Sequence, residues 1–162
     1  MMKEKYLEFK VAGKYFAYPI EKIREIMEYP QIEAISGAPS QLLGVMNLRG
    51  RLVVVFDIAA CLGEEVRPVS SKTCVIVTEV VRDGQTYVIA NKVDLVRQVI
   101  DVSKADLEPI PELGGYIESP MVGGVAKLEQ RLLTILNVDE LLSNKQWFWV
   151  LDQNNRSEVK HE

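Results

Sequence analysis

Histidine is almost absent from this sequence of 162 residues, and its scarcity excludes several classes of chemistry. The one histidine, His161, is the next-to-last residue of a polar tail. A catalytic triad, a histidine general base and a histidine metal site therefore have no candidate residue in a folded core. We expect a chain with no catalytic residues, no metal site and no cofactor.

Cysteine is scarce as well. Cys61 and Cys74 lie far apart without a C-x-x-C spacing, and both have apolar neighbours in the sequence. Such cysteines are typically small buried thiols, because nothing nearby would favour a reactive thiolate. The sequence also lacks the G-x-x-x-x-G-K-[ST] loop that binds nucleotide phosphates.

Excess positive charge and long apolar runs are missing too. The chain has 19 Lys and Arg against 23 Asp and Glu, for a formal net charge of -4. Binding to nucleic acid or to an anionic membrane surface is therefore disfavoured. No apolar run reaches the roughly 20 residues of a membrane helix, and the first residues lack a signal-peptide core, so we expect a cytoplasmic protein.

The residues that are present favour β-structure. Hydrophobic residues make up 48% of the chain and charged residues 26%, a composition typical of one globular domain or two small lobes. Residues 20–27 have helical spacing and predict a short helix or a bent strand. Alternating or β-branched runs with short turns between them predict strands. These runs cover residues 6–11, 15–20, 42–48, 52–58, 73–81 and 85–90.

An internal repeat organises these strands. Residues 44–52 match residues 124–132 in Gly, Val, Leu, Arg and Leu, at an offset of 80 positions. Upstream, residues 20–26 match residues 93–99 at an offset of 73, so the second copy holds about seven extra residues near 109–119. Two copies of about five short strands predict two small barrels packed together, over residues 6–66 and 72–137. A single open sheet is the alternative, but it would leave two long apolar edges unpaired.

The two copies also serve as controls for each other. Arg49 in the first copy corresponds to Glu129 in the second, and Glu25 corresponds to Gln98. Because the acidic and the basic residue are lost together, we infer that Glu25 and Arg49 form a bridging pair. The alternative is an ordinary surface ion pair worth roughly 0 to 1 kcal/mol.

The C-terminal segment predicts a helix over residues 138–150, capped by Asn137. Its apolar stripe includes Phe148 and Trp149, and we expect it to pack back onto the first barrel. An exposed aromatic patch that binds a partner is the alternative. Residues 151–162 form a polar tail that is predicted to be disordered.

The stretch Gly-Val-Met-Asn-Leu-Arg-Gly at 44–50, followed by residues 52–55 and by Asp57-Ile58, resembles the signature of the CheW chemotaxis coupling proteins. The resemblance extends over residues 6–145 and places one CheW-like domain at residues 4–150. Three features depart from the family pattern: Val54 replaces a proline, Phe56 is bulky, and Asn91-Lys92 replaces a common Asp-Gly.

The resemblance implies a mainly β fold of two five-stranded SH3-like β-barrels with short helices. It also implies a non-enzymatic adaptor that links the cytoplasmic tip of chemoreceptors to the C-terminal regulatory domain of a CheA-type histidine kinase. Such an adaptor is expected to be monomeric when free and to join receptor arrays at the inner face of the membrane.

Site residues carry over from the family position by position. Glu25, Asn47 and Arg49 match positions tied to receptor binding. The expected kinase-binding positions are small or apolar, and a place in the core would explain each of them equally well. They are Ile23, Gly44, Cys74, Val93 and Val96.

Three other functions stay open at this point. A CheW-like scaffold could serve an array that controls pili or another output. A small enzyme could use carboxylates such as Glu25 and Asp57, although no acids are paired at a suitable spacing. A nucleic-acid-binding barrel would need a basic, aromatic-studded strand, which the sequence lacks.

Overall fold

The structure is a computed structural model that describes residues 3–108 and 119–159. Within these ranges the chain is mainly β, as predicted, and single-turn 3-10 helices follow several strands. The strands are β1 Lys3–Val11, β2 Lys14–Pro19, β3 Ile23–Glu28, β4 Leu42–Leu48, β5 Arg51–Asp57, β6 Cys74–Arg82, β7 Gln85–Val93, β8 Leu95–Ser103, β9 Leu107–Glu108, β10 Val122–Leu128 and β11 Arg131–Leu136. The helices are α1 Ile58–Cys61 and α2 Asn144–Val159.

Tight turns join the predicted hairpins. In three of them two consecutive residues have positive φ and the second is glycine, as at Ala12-Gly13 and Asp83-Gly84. This geometry is a type I′ turn, whose twist matches that of paired strands. The hairpin predictions are therefore confirmed. The ambiguous segment at 20–27 forms a 3-10 turn at Ile20–Lys22 followed by β3.

The strands form two sheets rather than one open sheet. Sheet A has the order β8-β1-β2-β11-β10-β9, and sheet B has the order β3-β6-β7-β5-β4. In these orders, the first five strands of sheet A are the repeat counterparts of the five strands of sheet B. β8 corresponds to β3, β1 to β6, β2 to β7, β11 to β5 and β10 to β4. Both sheets thus have the same arrangement, as the repeat predicts.

The two sheets do not follow the two halves of the sequence. Each copy begins with a hairpin, β1–β2 or β6–β7, and each hairpin pairs with strands of the other copy. Parallel pairing of β2 with β11 and of β5 with β7 joins the copies. The boundaries 6–66 and 72–137 are therefore not those of the sheets. Local patterns predict strands and turns, but not which distant strands pair.

Three apolar clusters hold the fold together. The largest lies between the sheets and includes Phe9, Tyr18, Phe56, Ile76 and Trp147. Each sheet also folds over a smaller cluster of its own, to which strands from both copies contribute. The cluster of sheet A is Tyr6, Ala17, Val102, Ala126, Leu133 and Ile135, and that of sheet B is Met46, Val53, Val55, Val75, Val77 and Ala90.

The residues that depart from the family pattern lie in the interior. Val54 and Phe56 belong to the large cluster. The Asn91 amide donates hydrogen bonds to the Ile76 carbonyl and the Thr78 hydroxyl, both at 2.9 Å. Lys92 is 6% exposed, and its ammonium lies 3.3 Å from a carboxylate oxygen of Asp57. These substitutions therefore act on packing and buried polar contacts.

The C-terminal helix differs from its predicted bounds. Residues Val138–Glu140 form a separate 3-10 turn that Asn137 caps, and α2 begins only at Asn144. The reason is a capping box: the Gln146 amide donates to the Ser143 hydroxyl at 3.3 Å, and the Ser143 amide donates to the Gln146 side chain at 2.8 Å.

The far end of the helix also differs from the prediction. α2 continues to Val159, so residues 151–159 are helical rather than disordered. Residues 160–162, including His161, and most of the extra residues near 109–119 lie outside the described residues.

Aromatic packing on α2 is also different from the prediction. Trp147 is 2% exposed and meets the Tyr87 ring edge-on, with centroids 5.5 Å apart, in sheet B. Phe148, which was predicted to face the core, is 62% exposed. α2 packs mainly against β5, a strand of the first copy.

Replacement of Tyr18 by phenylalanine should stabilise the protein. The Tyr18 hydroxyl is buried and has no hydrogen-bond partner among the described residues, so its removal should raise the free energy of unfolding by roughly 1 kcal/mol. Urea denaturation at pH 7 measures this change. Tyr6→Phe is the control, because the Tyr6 hydroxyl donates to Glu4 at 2.9 Å and its loss should not stabilise.

The same variant should change the response to alkaline pH. Burial raises the pKa of Tyr18 well above its ordinary value near 10. Above that value the unfolded chain releases a proton that the folded chain retains, so stability falls as the pH rises. Tyr18→Phe should lose stability less steeply between pH 9 and 11, and an equal slope would contradict this assignment.

Candidate functional site

The most distinctive exposed group lies on the β4–β5 turn. Arg49 and Gly50 have φ values of 52° and 84°, so they form a type I′ turn with Arg49 at its first central position. The Gly50 amide donates a hydrogen bond to the Asn47 side-chain oxygen at 2.7 Å. Asn47 therefore fixes the turn, and the turn holds the Arg49 side chain away from both strands.

A β-bulge positions the acidic partner. In β3 the pairing with β6 shifts between Ile23 and Glu25, with Arg24 as the extra residue. A bulge of this kind re-aims the side chains that follow it. Ile23 consequently packs against the large core. Glu25 lies on the other face of β3 and is paired with Val77 of β6.

Glu25 and Arg49 form the ion pair that the repeat predicts. A guanidinium nitrogen of Arg49 donates to a carboxylate oxygen of Glu25 at 2.6 Å. The side chain of Arg49 is 76% exposed and that of Glu25 is 24% exposed. Because β3 and β4 are the two edge strands of sheet B, the pair connects opposite edges of that sheet.

The second oxygen of the Glu25 carboxylate is buried and has no hydrogen-bond partner among the described residues. The pair therefore uses one oxygen of the acid and leaves most of the Arg49 guanidinium exposed to solvent. Such an exposed pair adds little to stability, on the order of 0 to 1 kcal/mol. Its geometry leaves several donors on Arg49 free to meet another molecule.

Sheet A is built differently at the corresponding position. Glu8 pairs with Ala17 and Val77 pairs with Ala90, so Glu8 occupies the place that Val77 has in sheet B. The Glu8 side chain is 0% exposed. It accepts hydrogen bonds from Arg131 at 2.8 Å, from Gln98 at 3.1 Å and from Arg97 at 3.3 Å.

Sequence reasoning missed this buried carboxylate. The alternation of residues 6–11 indicates a strand with one face exposed, but both faces of β1 are covered. Leu7 and Phe9 enter the large core, while Tyr6 and Glu8 point toward the cluster of sheet A. The repeat offered a signal for this carboxylate, because two arginines are present in both copies. Arg24 corresponds to Arg97, and Arg51 corresponds to Arg131.

The five small or apolar positions do not form one exposed patch. Val93 is 1% exposed and belongs to the large core, against which Ile23, Cys74 and Val96 pack while partly exposed. Cys74 and Val93 face each other across β6 and β7. Ile23 and Val96 are repeat-related residues, and each directly precedes a bulge on an edge strand.

Gly44 is buried for a steric reason. Its φ is 148°, and a Cβ atom at this position would lie 2.1 Å from the Glu33 carbonyl oxygen. The amide groups of Glu33 and Val45 each donate to the other residue's carbonyl at 2.9 Å, which brings the two backbones together. Any side chain at Gly44 would separate this pairing, so the residue supports the surface of sheet B from below.

The two thiols are not activated, and the two acids of the enzyme hypothesis are both in ion pairs. Burial raises the pKa of the Cys61 thiol to about 12, and it raises the pKa of Cys74 as well. Asp57 is paired with Lys92 and Glu25 with Arg49, which leaves neither acid of the enzyme hypothesis free. Among these residues no three His, Cys, Asp or Glu side chains are grouped to hold a metal. No helix in the described part of the chain is long and apolar enough to cross a membrane.

Two known proteins are similar to this chain in sequence. The chain is 26% identical over 140 residues to the probable chemotaxis protein CheW of Rhizobium etli, covering 86% of this chain and 88% of that protein. It is 31% identical over 71 residues to protein PilI of Pseudomonas aeruginosa, covering 44% and 40%.

A solved structure shares the fold. The crystal structure of the scaffolding protein TtCheW from Thermoanaerobacter tengcongensis superposes with a TM-score of 0.79 at 27% identity, covering 90% of this chain and 92% of that chain. The family model of the CheW-like domain matches residues 5–146. The chain therefore belongs to the CheW-like family and is a non-enzymatic scaffold protein of chemotaxis signalling.

Proposed function

We propose that this protein couples chemoreceptors to a CheA-type histidine kinase by binding both of them. The receptor contributes its cytoplasmic tip, and the kinase contributes its C-terminal regulatory domain. The observation that carries the proposal is the exposed Glu25–Arg49 pair, which the second copy of the repeat lacks. Because the fold repeats without the pair, the pair serves something other than folding.

Receptor binding is assigned to the β4–β5 turn and the neighbouring edge of β3. Asn47 fixes the turn, Arg49 presents its guanidinium to solvent, and Glu25 holds the guanidinium in one orientation. An orientation set before binding lowers the entropy lost when a partner docks. Guanidinium groups suit the polar side of a helical receptor tip, since they donate in a planar fork.

Kinase binding is assigned to three side chains on separate strands: Ile23 of β3, Cys74 of β6 and Val96 of β8. These side chains are partly exposed and rest on the large core, so a partner could cover them without rearranging the fold. Val93, which pairs with Cys74, and Gly44, which lies on β4, are buried and contribute through packing rather than by touching the kinase. Each contact is small and therefore weak, and we propose that an array gains stability because many such contacts act together.

The proposed partners also determine the oligomeric state and the cellular location of the protein. The free chain is monomeric, and receptor binding recruits it to the inner face of the membrane as part of an array. A scaffold can transmit a signal only when it binds one state of its partners better than another.

A second candidate is a scaffold for an array with a different output, such as pili. The similarity to protein PilI of Pseudomonas aeruginosa favours it, although the match covers 44% of this chain. Co-purification from the source cell distinguishes the two, because each array has its own kinase and receptors. Failure to recover any CheA-type kinase would contradict both.

Charge reversal at Arg49 tests receptor binding. Arg49→Glu places a carboxylate beside Glu25, and we expect the affinity for a receptor cytoplasmic fragment to fall about tenfold or more. The circular dichroism spectrum and the melting temperature should change little, since the pair is exposed. Pull-down with the fragment measures the affinity, and the double variant Glu25→Arg with Arg49→Glu should regain part of it.

Glu129→Arg is the matched control for this experiment. Glu129 occupies the same position as Arg49 in the second copy, on the turn between β10 and β11. Reversing its charge should leave receptor binding within twofold of the original value. An equal loss in both variants, or no loss in Arg49→Glu, would remove Arg49 from the receptor site.

Truncation of Val96 tests kinase binding. Val96→Ala removes apolar surface from the proposed contact, and we expect about fivefold weaker binding to the kinase regulatory domain with receptor binding unchanged. Titration calorimetry measures both affinities. Val66→Ala is the control, because Val66 is 52% exposed in the connector after α1. Unchanged kinase binding in Val96→Ala would contradict the assignment.

A further inference from the structure

One end of sheet A gathers three cationic side chains around a single aromatic ring. The ammonium of Lys10 lies 4.8 Å from the centroid of the Tyr15 ring, and the guanidinium carbons of Arg97 and Arg131 lie at 5.1 and 4.7 Å. The four residues come from β1, β2, β8 and β11, and we call them the Tyr15 cluster. Folding therefore brings together charges that are far apart in the sequence.

The cluster carries more positive charge than the carboxylates in ion-pair contact with it offset. Glu8, fully buried beneath it, is the carboxylate that binds Arg97 and Arg131. Among the described residues Lys10 has no ion-pair partner, and no second carboxylate pairs with either arginine. Three cations and one carboxylate leave an excess of two positive charges, in a chain whose net charge is -4.

Sheet B shows that the fold does not require this excess. The residues that correspond to Lys10 and Tyr15 are Glu79 and Val88, which pair across β6 and β7. There the arginine of the bulge, Arg24, forms an ion pair with Glu79 at 3.2 Å. The same place in sheet A has lysine instead of the acid, so Arg97 and Lys10 repel each other across the Tyr15 ring.

The exposure of the two arginines and the shape of the guanidinium group indicate which ligand could offset the excess positive charge. The side chains of Arg97 and Arg131 are 37% and 27% exposed, so their donors are partly recessed. A carboxylate at the end of a side chain can reach such donors and can accept two hydrogen bonds from one guanidinium. A nucleic acid instead needs a basic face that follows several phosphates, which three cations around one ring do not provide.

We propose that the Tyr15 cluster binds an acidic segment of a protein partner, whose carboxylates accept hydrogen bonds from Arg97, Arg131 and Lys10. Glu8 accepts from both arginines from below, Gln98 donates to Glu8, and the Tyr15 ring holds the three cations at fixed spacing through cation–π contacts. The site is separate from the Glu25–Arg49 pair, which lies on sheet B.

A titration followed by NMR tests the proposal on the full, isotope-labelled chain. The probe is a peptide of six glutamates blocked at both ends, and the matching glutamine peptide is the reference. We expect saturable shifts of the Lys10, Tyr15, Arg97 and Arg131 signals with the glutamate peptide and none with the glutamine peptide. Absence of saturable shifts at these residues would overturn the proposal.

The repeat supplies the variant. Lys10→Glu copies the arrangement of sheet B, in which the acid pairs with the bulge arginine, so the fold and the Glu8 contacts should persist. We expect its affinity for the glutamate peptide to fall at least about tenfold, and that of Lys10→Gln to fall about threefold. Lys104→Glu, at the other end of β8, changes the net charge equally and should alter the affinity less than twofold.

Three results would overturn the assignment to a protein segment. An equal loss in Lys104→Glu would show that only the net charge matters. Inorganic phosphate that produces the same shifts at equal ionic strength would show a simple anion site. A single-stranded oligonucleotide that binds more tightly than the peptide would indicate a nucleic acid. None of these results depends on receptor or kinase binding, so the proposed function would be judged separately.

Discussion

The exchange of hairpins between the two copies of the repeat is the constraint on which the rest of the structure depends. Parallel pairing of β2 with β11 and of β5 with β7 places strands of both copies in each sheet. The large core between the sheets draws on the same strands, so neither copy can bury its apolar residues alone. All three candidate binding regions rest on this frame and take their geometry from it.

The two sheets have their carboxylates on different strands, with different consequences. In sheet A the carboxylate is on the central strand β1, where Glu8 is buried and held by three donors. In sheet B valine takes that place, and the carboxylate moves to the edge strand as Glu25, where it reaches an exposed arginine. One duplicated architecture thus gives a buried carboxylate with three donors in one sheet and an exposed ion pair in the other.

The sequence predicts the local structure well, because local chemistry determines it. β-Branched runs separated by short turns that contain glycine predict the hairpins, although two of the turns begin one residue earlier than Gly13-Lys14 and Gly50-Arg51, where the sequence pattern puts them. Loss of both members in the second copy predicts the Glu25–Arg49 contact. Strand exchange could not be predicted, since alternation does not specify a distant partner. Glu8 was missed because a charged residue in an alternating strand suggests exposure. The start of α2 was misplaced because Asn137 caps a 3-10 turn, while the Ser143–Gln146 capping box lies six residues later.

Strand exchange also sets the order in which the chain can fold during synthesis. All five strands of sheet B lie within residues 23–93, so they have all left the ribosome once residue 93 has passed through the exit tunnel. In sheet A, β1 and β2 can pair with each other early, but β1 gains β8 only once residue 103 has been made and β2 gains β11 only once residue 136 has been made. The β1–β2 hairpin is thus synthesised well before its outer partners, and its apolar residues stay exposed to other chains until those strands follow.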